Sequence, residues 1–246
     1  PSLVINICAD CNMNCLYCPE DSDGHKIGGE NLHYICKEDY CDIYSVKQLV
    51  EKFGNHIKRH NEKPVLRITG GEPLFGSENI KRTLEVLKVA KRDFGRIVLC
   101  TNGLSFEMAY GYDTKVWDSL KRTLLLKISL DTLDEDKFQL LTGTKAWNLE
   151  KVKRAIIFAA NKGFKIELNV VATKENLSDV NDVLNLFGFA VAHELVGIKI
   201  LTVNDFGGNV TYEQSEAEQT YVSTQLGLLI NELLCRGFEE RGVFLN

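Results

Sequence analysis

Short apolar runs rich in β-branched residues alternate along this chain with longer stretches whose apolar residues recur every three or four positions. That alternation narrows the fold more than any other feature. A short run followed by a helix-length amphipathic stretch is a βα unit, and a series of such units builds a parallel sheet, because a parallel neighbour is reached only through a long crossover. Six runs qualify as strands: Leu3–Cys8, Val65–Thr69, Arg96–Thr101, Leu124–Leu130, Phe164–Val171 and Val196–Thr202. Between them lie helical patterns such as Val46, Leu49, Val50, Phe53 and Ile57, then Leu149, Val152, Ile156 and Ala159, then Val180, Val183, Leu184 and Phe187. Each spacing puts one apolar stripe on a helix. After the sixth strand only one helical pattern remains, with Val222, Leu226, Leu229, Ile230 and Leu233 on one face of a helix expected at about 214–240. No room is left for a seventh and eighth unit. The expected fold is therefore α/β, a partial (β/α)6 TIM-like barrel of parallel strands, open on one side, with 1–246 forming a single core domain.

Composition removes several alternatives. Four Pro and nineteen Gly exclude a collagenous chain, and the longest apolar runs, such as Leu186–Ala192, are far below the roughly 18 residues of a membrane span. With 29 basic against 34 acidic residues the net charge is −5, which gives no whole-protein attraction to nucleic acid or anionic lipid. Neither is an expected partner. Of the eight cysteines, Cys8, Cys11, Cys15 and Cys18 crowd at the amino end, with Cys36, Cys41, Cys100 and Cys235 beyond. A chain of this size needs no disulfide staples and shows no signal peptide, so clustered thiols point to a reducing, cytoplasmic compartment and to metal or redox chemistry.

The strand ends carry the candidate site. Nearly every strand finishes at its carboxyl side in small or polar residues: Cys8 and Cys11, then Thr69–Glu72, Thr101–Gly103, Ser129 and Asp131, Asn169 and Thr173, and Thr202–Asp205. Parallel α/β folds place their sites on that face. The loop leaving the first strand holds Cys11, Cys15 and Cys18 in a Cys-x3-Cys-x2-Cys run. Three such thiolates converge on one centre, and two centres suit them. A structural zinc needs a fourth ligand, which Cys8 could supply; an iron–sulfur cluster held by three cysteines keeps one iron open. The segment 20–42 is a long loop, and its Cys36 and Cys41, with His25 and His33 nearby, form a weaker candidate for a second metal. Cys100 is expected in the core, Cys235 on the last helix, and Trp117 and Trp147 in packing roles.

Cys11, Cys15 and Cys18, with the aromatic Tyr17 before the last cysteine, match the signature of the radical S-adenosylmethionine enzymes. Gly70-Gly71-Glu72-Pro73 after the second strand is similar to that family's GGEP motif. Ser129-Leu130-Asp131, with Leu141-Thr142-Gly143 beyond it, resembles the subgroup of molybdenum-cofactor GTP 3′,8-cyclases and their peptide-modifying relatives. The resemblance covers roughly Leu3 to Gly208. It implies that Cys11, Cys15 and Cys18 hold a [4Fe-4S] cluster whose open iron chelates S-adenosylmethionine. Tyr17 would lie beside the adenine, Gly70 and Gly71 would meet the methionyl amino group, and Ser129 the ribose or carboxylate. Glu72 and Asp131 are placed in the same cofactor-binding set, with Glu72 expected chiefly to hold its own turn and Asp131, like Asp205, to shape the polarity met by the substrate. One electron from the cluster breaks the sulfonium's bond to the 5′ carbon, and the resulting 5′-deoxyadenosyl radical takes hydrogen from an unactivated C–H bond. An electron donor such as a flavodoxin or ferredoxin is implied, with a small-molecule or peptide substrate.

The same resemblance marks where the likeness stops. Arg67 and Thr101 match nucleotide contacts of the GTP cyclases, and Asn169 joins them as a substrate-binding candidate. The cyclases' arginine on the first strand falls at Val4, and their lysine on the fifth strand falls at Glu167, whose carboxylate would repel a triphosphate. GTP is therefore not the expected substrate.

Overall fold

The computed structural model describes residues 1–18, 42–59, 63–144, 147–202 and 216–235, and within them six strands alternate with helices. The strands are β1 (Ser2–Asn6), β2 (Val65–Thr69), β3 (Arg96–Thr101), β4 (Leu124–Ser129), β5 (Lys165–Ala172) and β6 (Gly197–Thr202). The helices are α1 (Ile43–Lys58) after β1, α2 (Gly76–Ala90) after β2, α3 (Phe106–Tyr112) and α4 (Thr114–Leu120) after β3, α5 (Glu135–Thr142) and α6 (Trp147–Asn161) after β4, α7 (Val180–Ala192) after β5, and α8 (Glu216–Cys235) after β6. Every neighbouring pair is parallel and the sheet runs in chain order from β1 to β6. Right-handed crossovers between consecutive strands put the helices on one face and curl the sheet, as in a barrel wall. Among the described residues β1 and β6 do not pair, so the arc stays open.

Side chains alternate between the two faces of each strand. One set, with Leu66, Ile68, Ile97, Leu99, Leu126, Ile128, Ile166 and Leu168, is buried in one core with residues of the covering helices such as Leu87, Phe106, Trp117 and Ile156. Each such side chain contributes about 1.5–3 kcal/mol by leaving water. Trp117 packs edge-on to Phe106 and Phe164 and donates its indole N–H to the Ala109 carbonyl at 2.8 Å, the packing role expected of it. A smaller core joins Val222, Leu226, Leu229 and Leu233 of α8 to Leu177 and Val183. The other set of strand residues, including Arg67, Cys100, Lys127, Glu167, Asn169 and Lys199, faces the concave side of the arc.

Several boundaries differ from the sequence reading. β1 stops at Asn6 because its partner β2 stops at Thr69 in the same register, and Cys8 lies beyond it in the loop. β5 begins one residue late because the Phe164 amide still closes the end of α6 on the Ala159 carbonyl. Cys100 is half-buried on the concave face, not in the core as expected, since it alternates with the inward Leu99 and Thr101 belongs to the loop end of β3. Cys235 is exposed. Cys36, Cys41, His25, His33 and Asp205 lie outside the described residues; Asp42, at the end of the expected loop, caps α1 by accepting from the Tyr44 and Ser45 amides. No described helix is long and apolar enough to cross a membrane.

Candidate functional site

The loop after β1 is fastened on two sides. On one, the Gly71 amide donates to the Cys8 carbonyl at 2.8 Å and the Glu72 amide to the Asp10 carbonyl at 2.7 Å. On the other, the Asn14 and Leu16 amides donate to the Thr142 and Leu141 carbonyls at 2.9 and 2.8 Å, at the end of α5. Met13, 6% exposed, anchors the loop in the core between the cysteines. The two glycine motifs make these approaches possible. A Cβ on Gly71 would sit 2.2 Å from the Ala9 carbonyl oxygen, and one on Gly143 would sit 2.7 Å from that of Asn14, where φ is also +62°. Gly70 and Gly71 thus first serve the seating of the cysteine loop, a function the sequence left unstated.

Glu72 and Asp131 brace this arrangement from below. The Glu72 carboxylate, 1% exposed, accepts from the Leu74 amide, the Thr101 hydroxyl and the Asn102 amide at 2.9, 2.6 and 2.6 Å, tying the β2 turn to the β3 turn. Burial pushes it up to about 7 although all three donors pull it down. The Asp131 carboxylate accepts from the Tyr17 hydroxyl through one oxygen and from the Val171 amide at 2.7 Å through the other. It is likewise pushed up to about 6, by burial against those two bonds. Both carboxylates are committed to protein partners, so each acts on the site by holding loops in place. Asn102 was not singled out by the sequence. Its amide donates to Asn12 Oδ1 at 2.7 Å and lies 4.0 Å from Cys11 Sγ, so it links the β3 turn to the cysteine loop. The Asn176 side chain does the same for β4 and β5, donating to the Asp131 and Val171 carbonyls.

Cys11, Cys15 and Cys18 are half-buried free thiols in this loop. Burial, then mainly neighbouring negative charge, raises Cys15; burial first and Glu72 and Cys18 after it push Cys11 up to about 11 despite the Met13 amide. Thiols so placed ionise readily only when a metal supplies the missing positive charge. Three thiols on one short loop are the donor set of a cluster that takes one thiolate per iron and leaves one iron open. The four-thiol zinc alternative is not supported. Cys8 is 5% exposed, its thiol points to the Asp10 carbonyl at 3.8 Å, and burial with Glu72 beside it pushes it up to about 12.

Of the remaining candidates, Ser129 at the loop end of β4 is the register partner of Asn169 within β5, Thr101 is buried against Glu72, and Arg67 is exposed in mid-β2 on the concave face. The sequence reading passed over Lys127 and Lys199. Both interrupt strands that are otherwise apolar, Leu-Leu-Leu-Lys-Ile and Gly-Ile-Lys-Ile-Leu, and that was the available signal.

The model of the Radical SAM superfamily matches residues 5–187. A probable GTP 3′,8-cyclase from Methanococcus aeolicus is 31% identical over 186 residues, covering 75% of this chain and 54% of its own length. The GTP 3′,8-cyclase of Paracoccus denitrificans is 26% identical over 220 residues, with 86% and 56% covered. The chain thus spans about half the length of these curated relatives. Among solved structures, Streptococcus suis SuiB bound to S-adenosylmethionine superposes with a TM-score of 0.70 at 15% identity, over 99% of this chain and 51% of SuiB. Native anSMEcpe with bound AdoMet gives 0.68 at 17% identity, over 96% of this chain and 62% of that one. These likenesses show the fold.

Proposed function

The chain belongs to the radical S-adenosylmethionine superfamily, whose members use a [4Fe-4S] cluster and S-adenosylmethionine, and on that premise we propose that it removes hydrogen from an unactivated C–H bond of its substrate. Cys11, Cys15 and Cys18 hold the cluster. When bound, the cluster supplies the electron that cleaves S-adenosylmethionine reductively at its 5′ carbon. The observation that carries this reading is the seating of the three-cysteine loop, clamped between the Gly71–Glu72 turn and the end of α5 at the carboxyl face of a parallel arc. Tyr17, whose hydroxyl is held by Asp131, would present its ring to the adenine, and Gly70, Gly71 and Ser129 would line the methionyl and ribose side. Glu72 and Asp131 fix the loops that carry these groups, which is positioning of the kind that reactive chemistry demands from a protein.

The substrate is a small molecule or a peptide, and the electron comes from a flavodoxin or ferredoxin. GTP is not proposed, although the relatives are named for it. Val4 and Glu167 stand where the cyclases carry cations, and a carboxylate beside a triphosphate is repulsive. The described strands and helices are taken as one core domain, working in the cytoplasm.

The test is 5′-deoxyadenosine formation by anaerobically reconstituted protein given S-adenosylmethionine and dithionite. The expected result is product from the unaltered chain and from Cys8→Ala, and none from Cys15→Ala. Product that persists in Cys15→Ala, or zinc retained in place of iron and lost in Cys8→Ala, overturns the reading.

A further inference from the structure

The turn after β3 carries an amide whose hydrogen bonds do not serve the turn alone. Asn102 directly follows β3 and is 7% exposed. Its backbone N–H donates to Glu72 at 2.6 Å, and its side-chain oxygen accepts from the Leu104 amide at 3.1 Å. Those two bonds fix which way the side chain faces. A planar amide whose oxygen is held by its own turn points its NH2 group away from that turn, here onto the cysteine loop. An NH2 group has two N–H bonds to place, and a buried one without an acceptor is costly. Asn12 Oδ1 takes one, at 2.7 Å. Cys11 Sγ, 4.0 Å from the same nitrogen, is the acceptor for the other. The same sulfur also accepts from the Met13 amide at 3.4 Å. Burial and the nearby Glu72 and Cys18 oppose negative charge on this sulfur, and N–H dipoles favour it.

From this geometry we infer that Asn102, by turning an N–H onto Cys11 Sγ, raises the reduction potential of the cluster that Cys11 holds and so eases entry of the electron used in the radical step. A thiolate ligand shares the negative charge that a cluster takes up on reduction. A donor dipole aimed at its sulfur stabilises the reduced form more than the oxidised one, and hydrogen bonds to the sulfurs are among the features that set cluster potentials. The buried surroundings of the amide strengthen that dipole's effect, because little water is there to screen it. At 4.0 Å the contact is long for a hydrogen bond, so it acts as a dipole near a charge and its effect is at the small end of the usual range. The side chain of Asn12 has a separate part: it accepts the other N–H and ties the turn to the loop. Glu72 acts through Asn102, since it holds the backbone from which the amide projects. The inference rests on the proposed function in taking Cys11 as a cluster ligand, and adds to it a residue that sets how readily the cluster is reduced.

The experiment is an anaerobic redox titration, followed by electron paramagnetic resonance, of the reconstituted protein without S-adenosylmethionine. It compares the unaltered chain with Asn102→Ala, Asn102→Asp and Asn12→Ala, with circular dichroism and iron per chain as checks that each variant folds and loads. Asn102→Ala removes the N–H. It is expected to lower the ratio of reduced to oxidised cluster at a fixed solution potential about threefold, a midpoint more negative by roughly 30 mV at 59 mV per tenfold for one electron. Asn102→Asp, titrated at pH 9, keeps the size of the side chain and the oxygen that accepts from Leu104 but sets a carboxylate oxygen against the sulfur. Its midpoint is expected to fall further, and it decides alone if Asn102→Ala does not load. Asn12→Ala breaks the link between turn and loop yet leaves the N–H facing Cys11, so its midpoint is expected at or above that of the unaltered chain. A purely structural role for Asn102 would move Asn102→Ala and Asn12→Ala alike. Equal shifts in those two, or a midpoint unmoved or raised in the Asn102 variants, overturns the inference. Failure here is separable from failure of the radical reading. An unaltered chain that takes up iron and forms 5′-deoxyadenosine, with the midpoint unmoved in the Asn102 variants, loses only the role of Asn102. An unaltered chain that takes up no iron overturns the radical reading, and with it the cluster on which Asn102 acts.

Discussion

At the level of single residues, two positions bear more of the site than their size suggests. Glu72 keeps a carboxyl group out of water beneath the cysteine loop, and its value of about 7 stands above the ordinary 4.5. The folded state therefore holds a proton that the unfolded chain releases. The stabilisation linked to that proton is complete below about pH 4.5 and is lost as the pH rises through 7. Glu72→Gln removes this dependence and turns an amide N–H onto the Thr101 and Leu74 donors or onto the Asn102 donor, an unfavourable contact of about 1–3 kcal/mol. Urea unfolding is expected to show the variant less stable at pH 5 and the gap to the unaltered protein narrower at pH 8. A gap that widens with pH would mean that the three donors outweigh burial and that Glu72 folds ionised. Gly71→Ala acts on the loop itself. With a Cβ 2.2 Å from one carbonyl oxygen and 2.4 Å from the next, the backbone must move. The variant is expected to keep the circular dichroism of the sheet and lose most of its iron on reconstitution, read as iron per chain.

Elements show how much of the molecule the sequence makes legible. Five of the six strands were readable to within one residue at each end, because short runs rich in β-branched and apolar residues stand between longer helical patterns. β1 was not, since its length is set by β2: Cys8 continues the apolar run, but pairing ends where Thr69 gives way to Gly70. The three cysteines and the glycine pair were visible as spacing. What the Leu141-Thr142-Gly143 stretch does was not, because its partners Asn14 and Leu16 are more than a hundred residues away and, apart from the room that Gly143 leaves for Asn14, meet it through backbone hydrogen bonds, which carry no residue-type signal. Lys127 and Lys199 were missed for a related reason: each makes sense only against charges on other strands, brought near by the curl of the sheet. α8 is a different kind of element. It packs through Val222, Leu226, Leu229 and Leu233 on a small core of its own, separate from the main one. Leu229→Ala, at a fully buried position, is expected to cost about 2–5 kcal/mol of local stability, measured as faster amide exchange in α7 and α8 with the exchange of β3 and β4 unchanged. Equal acceleration in the sheet would mean that the two cores unfold as one.

Across the whole molecule, the site rests on the edge of the main core. The arc is held by apolar side chains on its helix-covered face, and Met13 lies in that core with Cys11 and Cys15 packed against it. The loop is held by Met13 and by four backbone hydrogen bonds to the Gly71–Glu72 turn and the end of α5. A cluster bound by that loop in the folded state alone stabilises whatever unfolds with the loop and nothing else. Chelation of the iron under anaerobic conditions is therefore expected to speed amide exchange at Asn14, Leu16, Gly71 and Glu72 while leaving the central strands β3 and β4 protected to the same degree. The bonds to Thr142, Leu141, Cys8 and Asp10 do not involve the thiols, so exchange at those four amides should stay measurably slower than in an unstructured chain. Exchange that accelerates together in loop and strands would show the cluster to be part of the cooperative core. Exchange unchanged everywhere would show the loop to be fully preformed, with the protein alone setting the positions that the three thiols offer to iron.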